Sequence, residues 1–266
     1  MSRERSQDRM IASPRRPPGN RRGVEPSLRR ASADDAAALA ELICLAGESP
    51  GGIGLYDVFF GGARDDQLER MRRLVRANIR THFSYVNFFV AEADGIVAAA
   101  ACGFDPRIRG REKIVPALRE TGWSGREIGD AMERFDPVLT CLAEEPQNTW
   151  ILEHVATLPR FRRKGFAEGV VSRVIEEGFA AGCGRLQVSL FLGNDVARRF
   201  YLKLGFKPAG QPRTNRRFEE VMGAPGTESL VLDRRDWIES SSRLVSEKTL
   251  SRSPRGRSKR PNVPPA

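Results

Sequence analysis

The chain has 266 residues, enough for one large domain or two small ones. Its formal net charge is +10, but residues 1–31 and 240–266 each carry a net +6, which leaves the residues between them at −2. A near-neutral centre argues against nucleic-acid binding by the folded part and leaves only weak binding through the basic ends.

Both ends of the chain, residues 1–24 and 241–266, are rich in basic residues, proline and serine and lack periodic apolar positions. Such segments bury too little apolar surface to offset the entropy of ordering. We therefore expect two disordered basic tails around one domain of residues 25–240. The tails are either loose anchors for RNA or another anionic surface, or solvated segments without a role. The N-terminus lacks the apolar core of a secretory signal.

The cysteines are scattered, form no CxxC pair and accompany only two histidines. Neither a zinc site nor a disulfide framework is expected, so we predict no metal and a cytoplasmic location. The longest apolar run, residues 96–104, is too short to span a bilayer, so no membrane is expected. The cysteines are Cys44, Cys102, Cys141 and Cys183.

The first half of the chain predicts strands and helices in alternation. Ser32 and Asp35 resemble a capping box at a helix start, and Asp94-Gly95 is a strong hairpin signal between two apolar runs. Residues 105–148 are polar and partly helical, and an insert of this length is usually functional or has its own helices. The predicted elements are a strand over 27–31, a helix from 32, an apolar segment over 55–60, a helix over 65–82 and strands over 87–93 and 96–104.

The second half alternates strands and helices more strictly, which predicts an α/β fold with a mixed central sheet and helices on both faces. The predicted elements are a strand over 150–157, a helix over 165–181, a strand over 186–192, a helix over 195–204 and closing strands over 206–209 and 229–232.

The strand over 150–157 leads into a basic, glycine-containing turn that opens a helix. Backbone N–H groups and the helix dipole favour an anion there, and Gly165 permits close approach of a ligand to the backbone. Exposed arginines in a first helical turn oppose the dipole, which also suggests a bound anion. The turn consists of Arg162, Arg163, Lys164, Gly165, Phe166 and Ala167.

These residues resemble the GNAT N-acetyltransferase superfamily, whose pyrophosphate signature is Arg or Gln, two residues, Gly, one residue, then Gly or Ala. A second family signature, Asn-x-x-Ala-x-x-x-Tyr-x-x-x-Gly-Phe, is also present. The segment LYDVFFGG resembles a bacterial branch of the family with unassigned substrate. The matching residues are Arg162, Gly165 and Ala167 for the first signature and Asn194, Ala197, Tyr201, Gly205 and Phe206 for the second.

The resemblance implies acetyl-CoA as co-substrate, with the basic turn around its pyrophosphate. It implies that Val155, Ala156 and Thr157 offer backbone groups to the pantetheine arm and that one backbone N–H polarises the acetyl carbonyl. Asn194 is expected to cap a helix and to contact the arm. Tyr201 is either the general acid that protonates the leaving thiolate or a core aromatic.

Glu153 stands where several family members carry an acid, and it could deprotonate the acceptor amine directly or through water. His154 would point to the other face of a regular strand, whereas a bulge would change which of the two faces the cleft. A proton relay through solvent, with neither residue as base, is the third alternative. His82 is interpreted as a helix-end residue. Cys102, in an edge hairpin, is not placed to act as the nucleophile of a ping-pong reaction with an acetyl-enzyme intermediate.

The leading hypothesis is direct acetyl transfer from acetyl-CoA to a primary amine in a ternary complex. The alternatives are acetylation of a protein amine, such as one on a ribosomal protein, and a non-catalytic acyl-CoA-binding or regulatory protein. Acceptor pockets in this family are built by the first helices and by insertions, here residues 47–62 and 105–148. The acceptor is a small molecule or a protein, and a homodimer is compatible with the sequence.

Overall fold

The computed structural model describes residues 27–238, so both predicted tails lie outside the described part of the chain. Seven strands form one mixed sheet in the order β1-β2-β3-β4-β5-β7-β6. The strands are β1 (Ser27–Arg30), β2 (Phe88–Ala93), β3 (Ile96–Phe104), β4 (Thr149–Thr157), β5 (Arg185–Phe191), β6 (Lys207–Thr214) and β7 (Gly226–Asp233).

Nine α-helices connect or flank the strands within the described residues, together with four short single-turn helices, and residues 234–238 at the end of the described range are helical as well. The nine are α1 (Ala36–Ala46), α2 (Leu55–Phe60), α3 (Arg64–Arg76), α4 (Pro106–Arg109), α5 (Ile114–Glu120), α6 (Gly125–Leu139), α7 (Phe166–Ala180), α8 (Asp195–Lys203) and α9 (Arg216–Met222). None of the helices within residues 27–238 combines the length and the apolar composition that crossing a membrane requires.

Strands β1 to β4 pair antiparallel, and β5 then pairs parallel with β4 after the crossover through α7. The hairpin between β2 and β3 turns at Asp94 and Gly95, which have φ values of 54° and 73°. Both positive values match the turn that an Asp-Gly dipeptide favours. The predicted hairpin and mixed sheet are confirmed.

Alternate residues of β3 enter two different cores, because successive side chains of a strand point to opposite faces. Ala100 and Cys102 pack with the buried residues of α1 and α3. Ala99 and Ala101 pack with the buried residues of α7. The predicted arrangement with helices on both faces follows from this division. A third small cluster joins α6 to α9.

One prediction about a helix was wrong, and two helices were not predicted. The helix predicted over 65–82 ends at Arg76, because the backbone becomes extended at Ala77. The next amides, of Asn78 and Ile79, donate to the carboxylate of Glu120 at 2.8 and 2.7 Å and therefore do not continue the helix. In addition, α9 stands where the sequence predicted no element, and the apolar segment over 55–60 is the helix α2.

Candidate active site

The central parallel pair of strands separates towards its carboxyl end. The last residues in register are Leu152 of β4 and Val188 of β5, although β4 continues to Thr157 and β5 to Phe191. Beyond Leu152, the side of β4 that faces β5 has no strand partner. A gap therefore opens in the middle of the sheet, and its walls offer backbone groups to a ligand.

A bulge in β4 lies at the start of this gap. Ala100 pairs with Ala156 and Cys102 pairs with Glu153, so one residue of β3 stands opposite both His154 and Val155. His154 adopts φ 51°, which is uncommon for a residue with a side chain. Because of the bulge, Glu153 and His154 line the same cavity instead of opposite faces of the sheet.

The basic turn follows β4 directly and leads into α7. Gly165 caps the helix with φ 83°, and a Cβ added there would meet nothing within 4 Å. Arg162, Arg163 and Lys164 are exposed, and the Nε of Arg162 donates to the carbonyl oxygen of Thr157 at 3.2 Å. The turn thus presents open backbone and positive charge, as an anion site requires. The ring of Phe166, by contrast, is buried in the core below α7, so only its backbone can face an anion.

The predicted cap at the start of α8 is confirmed, since the side-chain oxygen of Asn194 accepts from the amide of Ala197 at 3.1 Å. Tyr201 lies on the same helix and is buried, with its ring 5.1 Å from that of Phe200 and 5.4 Å from that of Phe206. Burial raises the pKa of Tyr201 well above its ordinary value. Asn194 and Tyr201 nevertheless reach the cavity that Val155 lines.

That cavity has a volume of about 310 Å³ and joins the gap in the sheet to the first helices and the insert. Both sequence segments predicted to build an acceptor pocket contribute to its walls. Ala156 and Thr157, although predicted with Val155, are not part of its lining. Its lining includes Tyr56, Phe59, His82, Arg111, Ile114, Val115, Met132, Phe135, Leu139, Glu153, His154, Val155, Asn194 and Tyr201.

Glu153 is held by an arginine of the insert. An Nη of Arg111 lies 3.1 Å from Glu153, and its Nε lies 2.6 Å from Glu145. Burial raises the pKa of Glu153 above its ordinary value, and the charge of Arg111 opposes that rise. A carboxylate with a raised pKa is a stronger base than an exposed one.

His154 is far less basic than an ordinary histidine, because burial and the neighbouring charge of Arg111 lower its pKa to about 3. Its Nδ1 lies 3.3 Å from the hydroxyl of Tyr56, and its Nε2 lies 3.7 Å from the carboxylate of Glu153. The imidazole is therefore neutral at physiological pH. Of the two candidate bases on β4, the electrostatics favour Glu153.

His82 is not the helix-end residue that the sequence suggested, since α3 ends six residues earlier. Its ring is buried, lies 5.8 Å from that of His154 and lines the cavity. The description of Cys102 was also wrong: β3 lies between β2 and β4, so its hairpin is not at an edge. The thiol of Cys102 is buried, and burial raises its pKa well above the ordinary value.

One group of described residues could offer three metal ligands. Atoms of His82, Glu153 and His154 lie within 4.8 Å of one another. The guanidinium of Arg111, already paired with Glu153, opposes a cation at this position. Metal independence stays a prediction.

Comparison with known proteins places this geometry in a family. The model of the acetyltransferase (GNAT) family matches residues 54–206, more than half of the chain. The chain belongs to this family. The matched residues of this GNAT chain include the gap between β4 and β5, the basic turn and α8, and they end at Phe206, the last residue of the second signature.

Individual relatives share less with this GNAT chain. The uncharacterized N-acetyltransferase YoaA of Bacillus subtilis (strain 168) is 39% identical over 54 residues, which are 20% of this chain and 30% of that protein. The structure of an N-acetyltransferase from Staphylococcus aureus Mu50 matches 77% of this chain and 100% of its own with a TM-score of 0.58 and 16% identity. Another acetyltransferase crystal structure matches 78% of this chain and 98% of its own with a TM-score of 0.54 and 20% identity. At these identities the structures show a common fold, which confirms the predicted fold class.

Sequence reasoning did not single out several residues of this GNAT site. Tyr56 and Arg111 contact the two candidate bases from positions 98 and 42 residues away in the chain. The apolar segment that contains Tyr56 was noticed, but no sequence signal joins it to β4. Arg111 stands among many charged residues of the insert, and only the fold distinguishes it.

Proposed function

We propose that this chain is an acetyl-CoA-dependent N-acetyltransferase, which moves the acetyl group to a primary amine by direct transfer in a ternary complex. One observation carries the proposal: a single cavity connects the gap between β4 and β5, where Tyr201 lies, to the partly buried carboxylate of Glu153. A thioester in the gap and an amine beside Glu153 would be neighbours in that cavity. Holding the two reactants together in this way makes the reaction between them effectively unimolecular, which lowers its barrier.

The gap and the basic turn support binding of the co-substrate. The free side of β4 at Val155 would hydrogen-bond the pantetheine arm, and the open turn at Gly165 would take the pyrophosphate on backbone N–H groups. Arg162, Arg163 and Lys164 are exposed at the same turn and add positive charge. In this proposal Phe166 and Ala167 contribute backbone groups only.

The reaction then follows from proton transfers at two side chains. Glu153 takes a proton from the acceptor ammonium, and the free amine attacks the thioester carbonyl. The C–N bond forms, the C–S bond breaks, and the hydroxyl of Tyr201 gives its proton to the departing thiolate. The nitrogen of the new amide gives up its remaining extra proton through solvent to the phenolate of Tyr201, and Glu153 releases its proton to solvent before the next turnover. His154, a neutral imidazole with a pKa of about 3, would be a poor base, and Arg111, 3.1 Å from Glu153, would keep that carboxylate in position.

Burial affects both the donor and the acceptor of the proton that passes from Tyr201 to the thiolate. The raised pKa of Tyr201 keeps its hydroxyl protonated but makes it a weaker acid. A thiolate formed in the same apolar cavity is also poorly solvated, so its basicity rises with that of the phenolate. The pKa values of the phenol and the thiol therefore stay closer together than the raised pKa of Tyr201 alone suggests.

The test combines binding and turnover on the full chain. Calorimetry should show saturable acetyl-CoA binding, and a panel of primary amines should include some that increase release of the coenzyme A thiol and appear as acetylated products by mass spectrometry. If acetyl-CoA binds but no small amine, peptide or protein is acetylated, direct transfer is wrong and a non-catalytic acyl-CoA-binding protein is the better description. If only proteins are acetylated, the protein N-acetyltransferase alternative replaces the small-molecule one.

A further inference from the structure

One wall of the cavity is formed by α2 and the insert. Its side chains are almost all apolar or aromatic. The rings of Phe59 and Phe135 meet at 5.3 Å in an edge-to-face arrangement, which fixes the wall. Met132 and Leu139 of α6 continue this wall and are 37% and 42% exposed.

Charge in this cavity is scarce and already paired. Among the described residues that line it, only Arg111 and Glu153 carry a formal charge. Arg111 lies 3.1 Å from Glu153 and 2.6 Å from Glu145, so two carboxylates share one guanidinium. The three groups together carry a net charge of −1 when both carboxylates are ionised.

Such a site favours one positive charge and opposes negative ones. The ammonium group of an acceptor would meet the excess carboxylate charge. A carboxylate on the acceptor would find no free arginine among the lining residues, and like charges placed together cost several kcal/mol. A second ammonium group would have to lie against the apolar wall, where an unpaired charge is costly.

We propose that the acceptor is a small primary monoamine with an apolar or aromatic body and without a carboxylate. This inference rests on the proposed acetyl transfer and narrows it to one class of substrate. The amino group would lie at Glu153, and the body would lie between Phe59, Phe135 and the side chains of Ile114 and Val115. The cavity of about 310 Å³ would also hold the thioester end of the co-substrate, so the space left for the acceptor suits a small molecule only.

Three amines separate the alternatives on the wild-type chain: 2-phenylethylamine, phenylalanine and 1,4-diaminobutane. The first two differ only by the carboxylate, and the third replaces the apolar body by a second amino group. We expect kcat/KM for 2-phenylethylamine to exceed that for each of the other two by about 100-fold. A higher kcat/KM for phenylalanine, for the diamine or for a lysine-containing peptide would overturn the proposal while leaving acetyl transfer intact.

A pair of variants tests the charge argument directly. Glu145→Gln removes one of the two carboxylates that share Arg111, so the net charge of the group rises from −1 to 0. The preference for 2-phenylethylamine over phenylalanine should then fall by about tenfold. Glu144→Gln is the matched control, because the neighbouring carboxylate is 82% exposed and pairs with Arg213 instead. An unchanged preference in Glu145→Gln would overturn the charge argument.

Failure of the class and failure of the activity give different results. If one of the other amines is the better substrate, the thiol assay still reports turnover, and only the class is wrong. If none of the three amines is acetylated, the proposed class of acceptor is again wrong. Calorimetry with acetyl-CoA then shows whether co-substrate binding has failed too.

Discussion

The candidate site has two ends, one for the co-substrate and one for the acceptor, and they are built in different ways. Around β4 and α7 the surface consists of backbone: an unpaired strand side, a bulge at His154 and a left-handed turn at Gly165. Around α2 and the insert it consists of packed side chains, with Phe59 and Phe135 in contact. A binding site made of backbone depends on a few φ and ψ values, so one substitution that changes them can abolish binding. In a wall made of side chains, each substitution changes acceptor binding by a limited amount.

The largest effect is expected at the backbone end, from Gly165→Glu. A carboxylate at this turn would occupy the open space in front of α7 and repel the pyrophosphate, so acetyl-CoA affinity should fall by at least about 100-fold. Gly182→Glu is the matched control, because Gly182 follows the other end of α7 with φ 87° and equally open space. Both variants strain the backbone, but only the first should lose acetyl-CoA in calorimetry. Equal affinity in both would refute the site.

Tyr201→Phe separates chemistry from packing at the same end. It keeps the ring between Phe200 and Phe206 and removes only the hydroxyl. If this hydroxyl is the general acid, turnover should fall by roughly 10²-fold with little change in acetyl-CoA affinity. Tyr85→Phe, outside the cavity lining, should leave turnover unchanged. A turnover of Tyr201→Phe within about twofold of wild type, with chemistry rate-limiting, would leave Tyr201 a core aromatic.

Glu153→Gln tests the point where the two ends meet. Burial raises the pKa of Glu153, so the base is active above that pKa and kcat/KM should be lost as the pH falls through it. The variant should lose this acidic limb, and its deficit, about 10²-fold, should be largest above the pKa of Glu153 and below that of the amine, where Glu153 is ionised and most of the amine is protonated. A pH–rate profile of the same shape and height as wild type would favour a proton relay through water.

Met132→Glu addresses the side-chain wall and should have a graded effect. A carboxylate on the exposed side of α6 makes the wall polar, so KM for an apolar amine should rise by up to about tenfold while that for acetyl-CoA stays unchanged. Glu133→Gln on the same helix, outside the lining, is the control. An equal rise in the KM for acetyl-CoA would show that the two ends do not bind acceptor and co-substrate independently.

Removing the predicted tails should have the smallest effect. A chain of residues 25–240 should keep full activity and lose weak, salt-sensitive affinity for polyanions. Loss of turnover in a folded, shortened chain would mean that one tail contributes to one end of the site.

Features set by neighbouring residues could be predicted from the sequence. The turn at Asp94-Gly95, the glycine at the start of α7 and the cap at Asn194 each depend on a few consecutive positions. Features set by distant contacts could not. The end of α3 depends on Glu120, which is 42 residues from Asn78. The same holds for the pairing of Arg111 with Glu153, which decides the charge of the candidate acceptor site.

The separation of β4 from β5 also has a consequence for hydrogen exchange. Amides of a paired strand are protected from deuterium, whereas those on the free side of β4 beyond Leu152 have no strand to protect them. A ligand that hydrogen-bonds this side would slow their exchange without any reaction taking place. The peptide that contains residues 153–157 should therefore report occupancy of the gap, even in variants that no longer turn over.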